Sequence, residues 1–163
     1  MNKNNRKIIG IYVVLITFAI LIDRISKMLI EKITESHLPI QLIKNWVLNL
    51  NITYVRNKGF IFGIFSNYNN SAIIYIISSI SLIAILLLFI YLFKTWEQKL
   101  PQNVFICLVI GGALGNIWDR ITKGYVIDFI DFYIKDYHWP TFNLADSFIT
   151  VGTIALLIYI LKE

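Results

Sequence analysis

Residues 71–93 read SAIIYIISSISLIAILLLFIYLF, without a single charge. The uncharged run is longer still, from Gly59 to Phe93. About 20 consecutive apolar residues cross the hydrocarbon core of a bilayer as a helix. A helix is also one of the few structures that satisfies every backbone polar group without water. The stretch therefore reads as a membrane span over about 70–93.

Three more uncharged runs lie on either side: Ile8–Ile22, Pro101–Trp118 and Ser147–Leu161. The run 101–118 qualifies alone, and the other two reach a span's length if each takes in a polar residue near one end. The prediction is four spans, at about 8–28, 70–93, 103–121 and 143–161, in a single membrane-embedded domain over 1–163. Composition points the same way. The 163 residues are 57% hydrophobic and only 15% charged, against about 45–50% and 25% in soluble domains. Mean hydropathy is +0.67. An ordinary soluble domain is excluded. The basic start (Lys3, Arg6, Lys7) and the apolar run after it have the layout of a secretory signal. No small-residue cleavage site follows, however. Asp23-Arg24-Ile25-Ser26-Lys27 stands there instead, so the segment reads as a retained span.

The net charge of +5 does not indicate nucleic acid, because the basic residues are scattered and form no face. They read as topology signals. Those at the N-terminus, in the connection 94–99 and at Lys162 favour N-in and C-in. Trp46, Trp96, Trp118 and Trp139 all fall at expected interfaces, where indole rings settle. The lone cysteine, Cys107, permits no internal disulfide and reads as a packing residue. Cys107, His37 and His138 lack metal-ligand spacing, so neither metal nor cofactor is expected.

Two segments, 29–69 and 122–142, then face outward. In the first, Leu48, Leu50, Ile52 and Tyr54 alternate with Asn49, Asn51 and Thr53, the period of a half-buried strand. Arg56-Asn57-Lys58-Gly59 reads as the turn after it. The expected fold class is an α-helical membrane protein, with four transmembrane helices and a small extracytoplasmic β element.

Five of the six aspartates lie within 119–146, and the sixth is Asp23. Carboxylates in or beside spans are costly, so their positions matter. Asp146, at the start of the fourth span, has a structural reading as a helix N-cap. Asp128, among apolar neighbours beyond the third span, has one as a water-facing interfacial carboxylate. The loop between them contains Pro140 and can fold back to bring both to one depth. Two carboxylates that meet cannot both ionise, and their pKa values are driven apart. The ionised one can then take a proton from water while the other protonates a leaving amine. This chemistry needs neither metal nor side-chain nucleophile, and no nucleophile motif is present. Nearby, Gly111, Gly112 and Gly115 permit close helix approach. Asn116, Asp119 and Arg120 share one helix face, and Asp23 and Lys27 form an i, i+4 pair. Spacing leaves open whether these polar groups are structural or functional. The same is true of Asn51, Arg56 and Asn57, which suit holding the outer strand or touching substrate.

Taken together, Asp23-Arg-Ile-Ser-Lys27, Asn51-Ile-Thr-Tyr-Val-Arg56-Asn57-Lys-Gly59, Gly111-Gly-Ala-Leu-Gly-Asn116-Ile-Trp-Asp119-Arg120, Val126-Ile-Asp128-Phe129 and Phe142-Asn143-Leu-Ala145-Asp146-Ser147 resemble the lipoprotein signal peptidase (signal peptidase II) family. Five blocks in order, between four spans, are specific where single blocks are not. The resemblance implies a membrane aspartic endopeptidase of the bacterial cell membrane, sensitive to globomycin. It would cut diacylglyceryl-modified prolipoproteins before the lipidated cysteine, at the outer face. The substrate and membrane lipid are the implied partners, and a monomer is expected. The catalytic pair falls on Asp128 and Asp146. Supporting residues fall on Asp23, Lys27, Asn51, Arg56, Asn57, Gly112, Asn116, Asp119, Arg120 and Asn143. Arg24 replaces a common glutamine, and Phe60-Ile61 replace two small residues. The competing readings are a non-enzymatic four-span carrier built on Asp23 and Lys27, or a protein that binds prolipoproteins without cutting.

Overall fold

A computed structural model describes residues 3–33, 39–45, 48–59, 71–97 and 100–162. Trp46, His37, Phe60-Ile61 and most of the run before the second span lie outside the described residues. Four helices carry the apolar runs: α1 (Lys3–Ile33), α2 (Ser71–Thr95), α3 (Leu100–Lys123) and α4 (Leu144–Lys162). All four are long and apolar enough to cross a membrane. The protein is an α-helical membrane protein with a small antiparallel sheet.

α3 is the central helix. Half of its most apolar stretch is buried, against 11–17% in the other three. The rest of the apolar surface, including Ile76, Ile83 and Phe93 on α2 and Val151, Leu157 and Leu161 on α4, is exposed. Such exposure is costly in water and neutral against lipid tails. α1 buries a stripe of Tyr12, Ala19, Asp23, Lys27 and Ile30, spaced at three, four and seven residues as one helix face requires. Where α1 meets the turn between α2 and α3, Tyr12 Oη donates to the Trp96 carbonyl at 3.0 Å. There the buried Asn103 amide donates to the Thr95 carbonyl at 2.9 Å and to Tyr12 Oη at 3.2 Å. This polar knot ties three helices at the end of the bundle away from most of the aspartates.

The sheet has the order β1-β2-β3-β4, from β1 (Ile40–Ile43), β2 (Asn49–Asn57), β3 (Val126–Ile134) and β4 (Tyr137–His138). The alternating run becomes β2. It continues through Arg56 and Asn57, which therefore lie in a strand and not in a turn. The second outer segment also contributes strands, which the sequence reading did not assign. Its hairpin turns at Lys135, whose φ is 53°. Beyond β4 the chain runs back along β3. Trp139 N donates to the Phe132 carbonyl at 2.8 Å, and Phe142 exchanges two bonds with Ile130 at 2.8 and 3.1 Å.

The β2–β3 register contains a bulge. Asn51 pairs with Asp131 and Ile52 with Ile130, but Val55 pairs with Asp128 and Asn57 with Val126. One extra residue in β2 flips the faces beyond it. Asn51 and Asn57, six apart, share a face in a regular strand. Here Asn51 lies on the side of Asp131, and Asn57 on the side of Asp128.

Candidate active site

The site forms where the C-terminal ends of α1 and α3, the start of α4 and the near end of β3 converge. α4 begins with a capping box. Asn143 is the N-cap, and its Oδ1 accepts from Asp146 N at 2.9 Å. Asp146 Oδ2 accepts in return from Asn143 N at 3.2 Å. Asp146 is therefore not the N-cap itself but its reciprocal partner in the first turn. Its other oxygen, Oδ1, accepts from Asn116 Nδ2 at 2.8 Å.

Asp128 comes from β3 and is 2% exposed, so the water-facing reading fails. Its Oδ1 accepts from Asn143 Nδ2 at 2.7 Å and its Oδ2 from Asn57 Nδ2 at 2.8 Å. Asn143 thus touches both carboxylates. Burial, and then the neighbouring charge of Asp146, push the Asp128 carboxyl up to about 7. The two amide donors and Lys27 act in the opposite direction, but they do not prevail. A carboxyl that holds a proton near neutrality beside a second carboxylate is chemically able to exchange protons as an acid–base pair.

Beneath the pair lies a closed ionic layer. Lys27 is fully buried, and its Nζ donates to Asp23 Oδ2 at 2.8 Å and Asn116 Oδ1 at 3.1 Å. It also lies 2.9 Å from Asp119 Oδ2. Asp119 Oδ1 takes Arg24 Nη1 at 2.8 Å, and the Arg24 guanidinium stacks over Trp118. Asp23 Oδ1 accepts the Ala145 amide at 3.0 Å, which pins the start of α4 to α1. Arg120 reaches the Gly59 carbonyl at 3.3 Å and lies in the field of Asp146 and Asp128. Four carboxylates (Asp23, Asp119, Asp128, Asp146) thus face three cations (Arg24, Lys27, Arg120). One proton on the pair balances the set.

Two glycines make this density possible. A Cβ on Gly112 would lie 2.5 Å from the Ala145 carbonyl oxygen, and one on Gly115 would lie 2.7 Å from Asp23 Oδ2. Both positions are filled by neighbours, one by backbone and one by a carboxylate.

A family model described as signal peptidase (SPase) II matches residues 15–162. The chain belongs to the signal peptidase II family. It is 38% identical over 152 residues to the lipoprotein signal peptidase of Clostridium tetani (strain Massachusetts / E88), covering 93% of this chain and 92% of that protein. To the lipoprotein signal peptidase of Anaplasma phagocytophilum (strain HZ) it is 37% identical, covering 97% and 95%. A solved bacterial membrane enzyme, 34% identical, superposes with a TM-score of 0.72 over 94% of this chain and 89% of the other.

In this member of the signal peptidase II family, the structure gathers Asp23, Lys27, Asn57, Gly112, Asn116, Asp119, Arg120, Asp128, Asn143 and Asp146. It does not bring Asn51 or Arg56 to the carboxylates. Asn51 Nδ2 donates to Asp131 Oδ2 at 3.2 Å on the other side of the sheet. Arg56 is exposed, with its guanidinium over the rings of Tyr54 and Tyr125 at 5.6 and 5.2 Å. Two contributors escaped the sequence reading. Arg24, a departure from the family pattern, closes the ionic layer from the i+1 position beside Asp23. Ala145 contributes a backbone N–H, which no side-chain pattern announces.

Proposed function

We propose that this chain is an aspartic endopeptidase that removes the signal peptide from diacylglyceryl-modified bacterial prolipoproteins, cutting before the lipidated cysteine. The observation that carries this reading is the single asparagine, Asn143, hydrogen-bonded to two carboxyl groups from separate elements, Asp128 buried and Asp146 partly buried. The family membership supports a prolipoprotein substrate.

In the proposed reaction the ionised carboxylate of the pair takes a proton from water, and the hydroxide attacks the scissile carbonyl carbon. The protonated carboxyl hydrogen-bonds the carbonyl oxygen and stabilises the tetrahedral intermediate. When the C–N bond breaks, the amine of the lipidated cysteine leaves with a proton from the pair, and the new carboxylate stays on the signal peptide. The proton belongs to the pair and not to one member. Asn143 and Asn116 hold both carboxyl groups in place, and Arg120 offsets their residual charge. The acyl chains of the substrate remain in lipid while the peptide bond meets the pair at the outer interface. The basic N-terminus and inner turn support N-in and C-in, with the sheet outside.

The test presents a lipobox peptide, with and without diacylglyceryl on its cysteine, to wild type and to Asp146→Asn in lipid. Cleavage of the lipidated peptide alone, lost in Asp146→Asn, is the expected result. A folded wild type that cuts neither peptide would return these carboxylates to a structural role.

A further inference from the structure

We propose that His138 is a positioning residue for the substrate, fixing the outer wall of a groove that opens on Asp146. This inference rests on the peptidase reading above. The groove is a cavity of about 250 Å³ lined by Trp139, Phe142, Asp146, Ser147, Thr150 and Val151. One wall is α4. The other is the return segment 139–142, which runs along β3 through Trp139 N to Phe132 O and through the bonds of Phe142 with Ile130 and Phe129. Pro140 has no N–H to add.

Just before this wall, a polar chain crosses all four strands on the face away from Asp128. His138 Nδ1 lies 2.7 Å from Asp131 Oδ1, and its ring stacks on Tyr133 with centroids 4.3 Å apart and planes 13° from parallel. Asp131 is anchored through its other oxygen by Asn51 of β2. Tyr133 Oη accepts from Gln41 Nε2 of β1 at 3.1 Å. His138 therefore joins the return segment to β1, β2 and β3 through side chains, at the residue next to Trp139. This also gives Asn51 a place: it acts on the groove from behind, through Asp131 and His138. None of these groups is hydrogen-bonded to Asp128 or Asp146, so their effect falls on binding. A wall held in place before the substrate arrives spares the cost of ordering it on binding.

The test uses the full chain in lipid, with wild type, His138→Ala and His138→Asn. The asparagine keeps an N–H near the Nδ1 position. On the lipidated lipobox peptide, His138→Ala is expected to raise KM about three- to tenfold, the cost of ordering one or two side chains, with kcat little changed. His138→Asn should recover most of that loss. Amide exchange at Trp139 and Phe142 should be faster in His138→Ala alone. A reduced-amide peptide that cannot be cut gives Kd independently of turnover. If wild type binds it without cutting the natural peptide, the peptidase reading fails, and a weaker Kd in His138→Ala still supports the groove wall. Equal Kd and KM in wild type and His138→Ala would overturn the proposal, as would a loss confined to kcat.

Discussion

At Asp128, the carboxyl group pushed up to about 7 has consequences for stability as well as for chemistry. Its folded-state pKa lies above the unfolded value. Between about pH 4 and 7 the folded protein therefore holds a proton that the unfolded chain has released, and the group's contribution to stability falls as pH rises through that window. Above it, the buried charge costs on the order of 4 kcal/mol. Asp128→Asn removes the charge. It is expected to abolish cleavage while raising the thermal midpoint at pH 8, with the gap closing toward pH 4. A mutant less stable than wild type at pH 8 would mean that the Asn57 and Asn143 hydrogen bonds outweigh desolvation. The rate should fall on the alkaline side with a midpoint near 7, as the pair loses its shared proton. A flat rate from pH 6 to 9 would contradict that.

Among the elements, α3 and α4 approach through Gly112. Gly112→Ala sets a methyl against a backbone oxygen that cannot rotate away, so the helices must separate. The expected loss is about 1–3 kcal/mol, read as a lower thermal midpoint in detergent, with activity falling alongside. Gly10→Ala, which meets nothing within 4 Å, is the control. The helices were legible in the sequence because lipid demands long apolar runs, and length alone separates them from core helices. The first strand was legible from its period of two. The hairpin of β3 and β4 was not: both faces of β3 are buried near the helices, so Val126-Ile-Asp-Phe-Ile-Asp shows no alternation, and Asp128 and Asp131 read as polar interruptions. The β2 bulge was equally invisible, because nothing in Asn51-Ile-Thr-Tyr-Val-Arg-Asn57 marks the extra residue. Without it Asn51 and Asn57 look equivalent. With it only Asn57 reaches the carboxylate. Asn143 was legible as part of a motif, but its reciprocal bond with Asp146 needed the backbone of the first turn.

For the whole molecule, the ionic layer decides whether the bundle closes. Lys27→Met leaves Asp23 and Asp119 buried with fewer cations, a loss on the order of 3–5 kcal/mol. Adding Asp23→Asn should recover part of it, because the two positions are directly paired. Additive losses in a double-mutant cycle would show that the pair is not coupled. Orientation is testable on the intact chain. A cysteine at Lys135, on the hairpin tip, should react with an impermeant maleimide added outside cells. A cysteine at Asn4 should react only after permeabilisation. Cys107, which is fully buried, leaves little background. Labelling of position 4 alone in intact cells would reverse the topology.

The balanced charges around the pair also bear on energetics across the bilayer. Moving one unit charge through the membrane field involves about 2.3 kcal/mol per 100 mV. With one proton on the proposed pair, four carboxylates and three cations carry no net charge, and they cluster at one end of the bundle, which the proposed topology sets at the outer interface, outside most of the field. On the proposed reading, water and protons reach the pair from that same outer side. An energised membrane therefore has almost no electrical work to do on the proposed reaction. In proteoliposomes, cleavage should proceed at the same rate whether a potassium diffusion potential is imposed or collapsed.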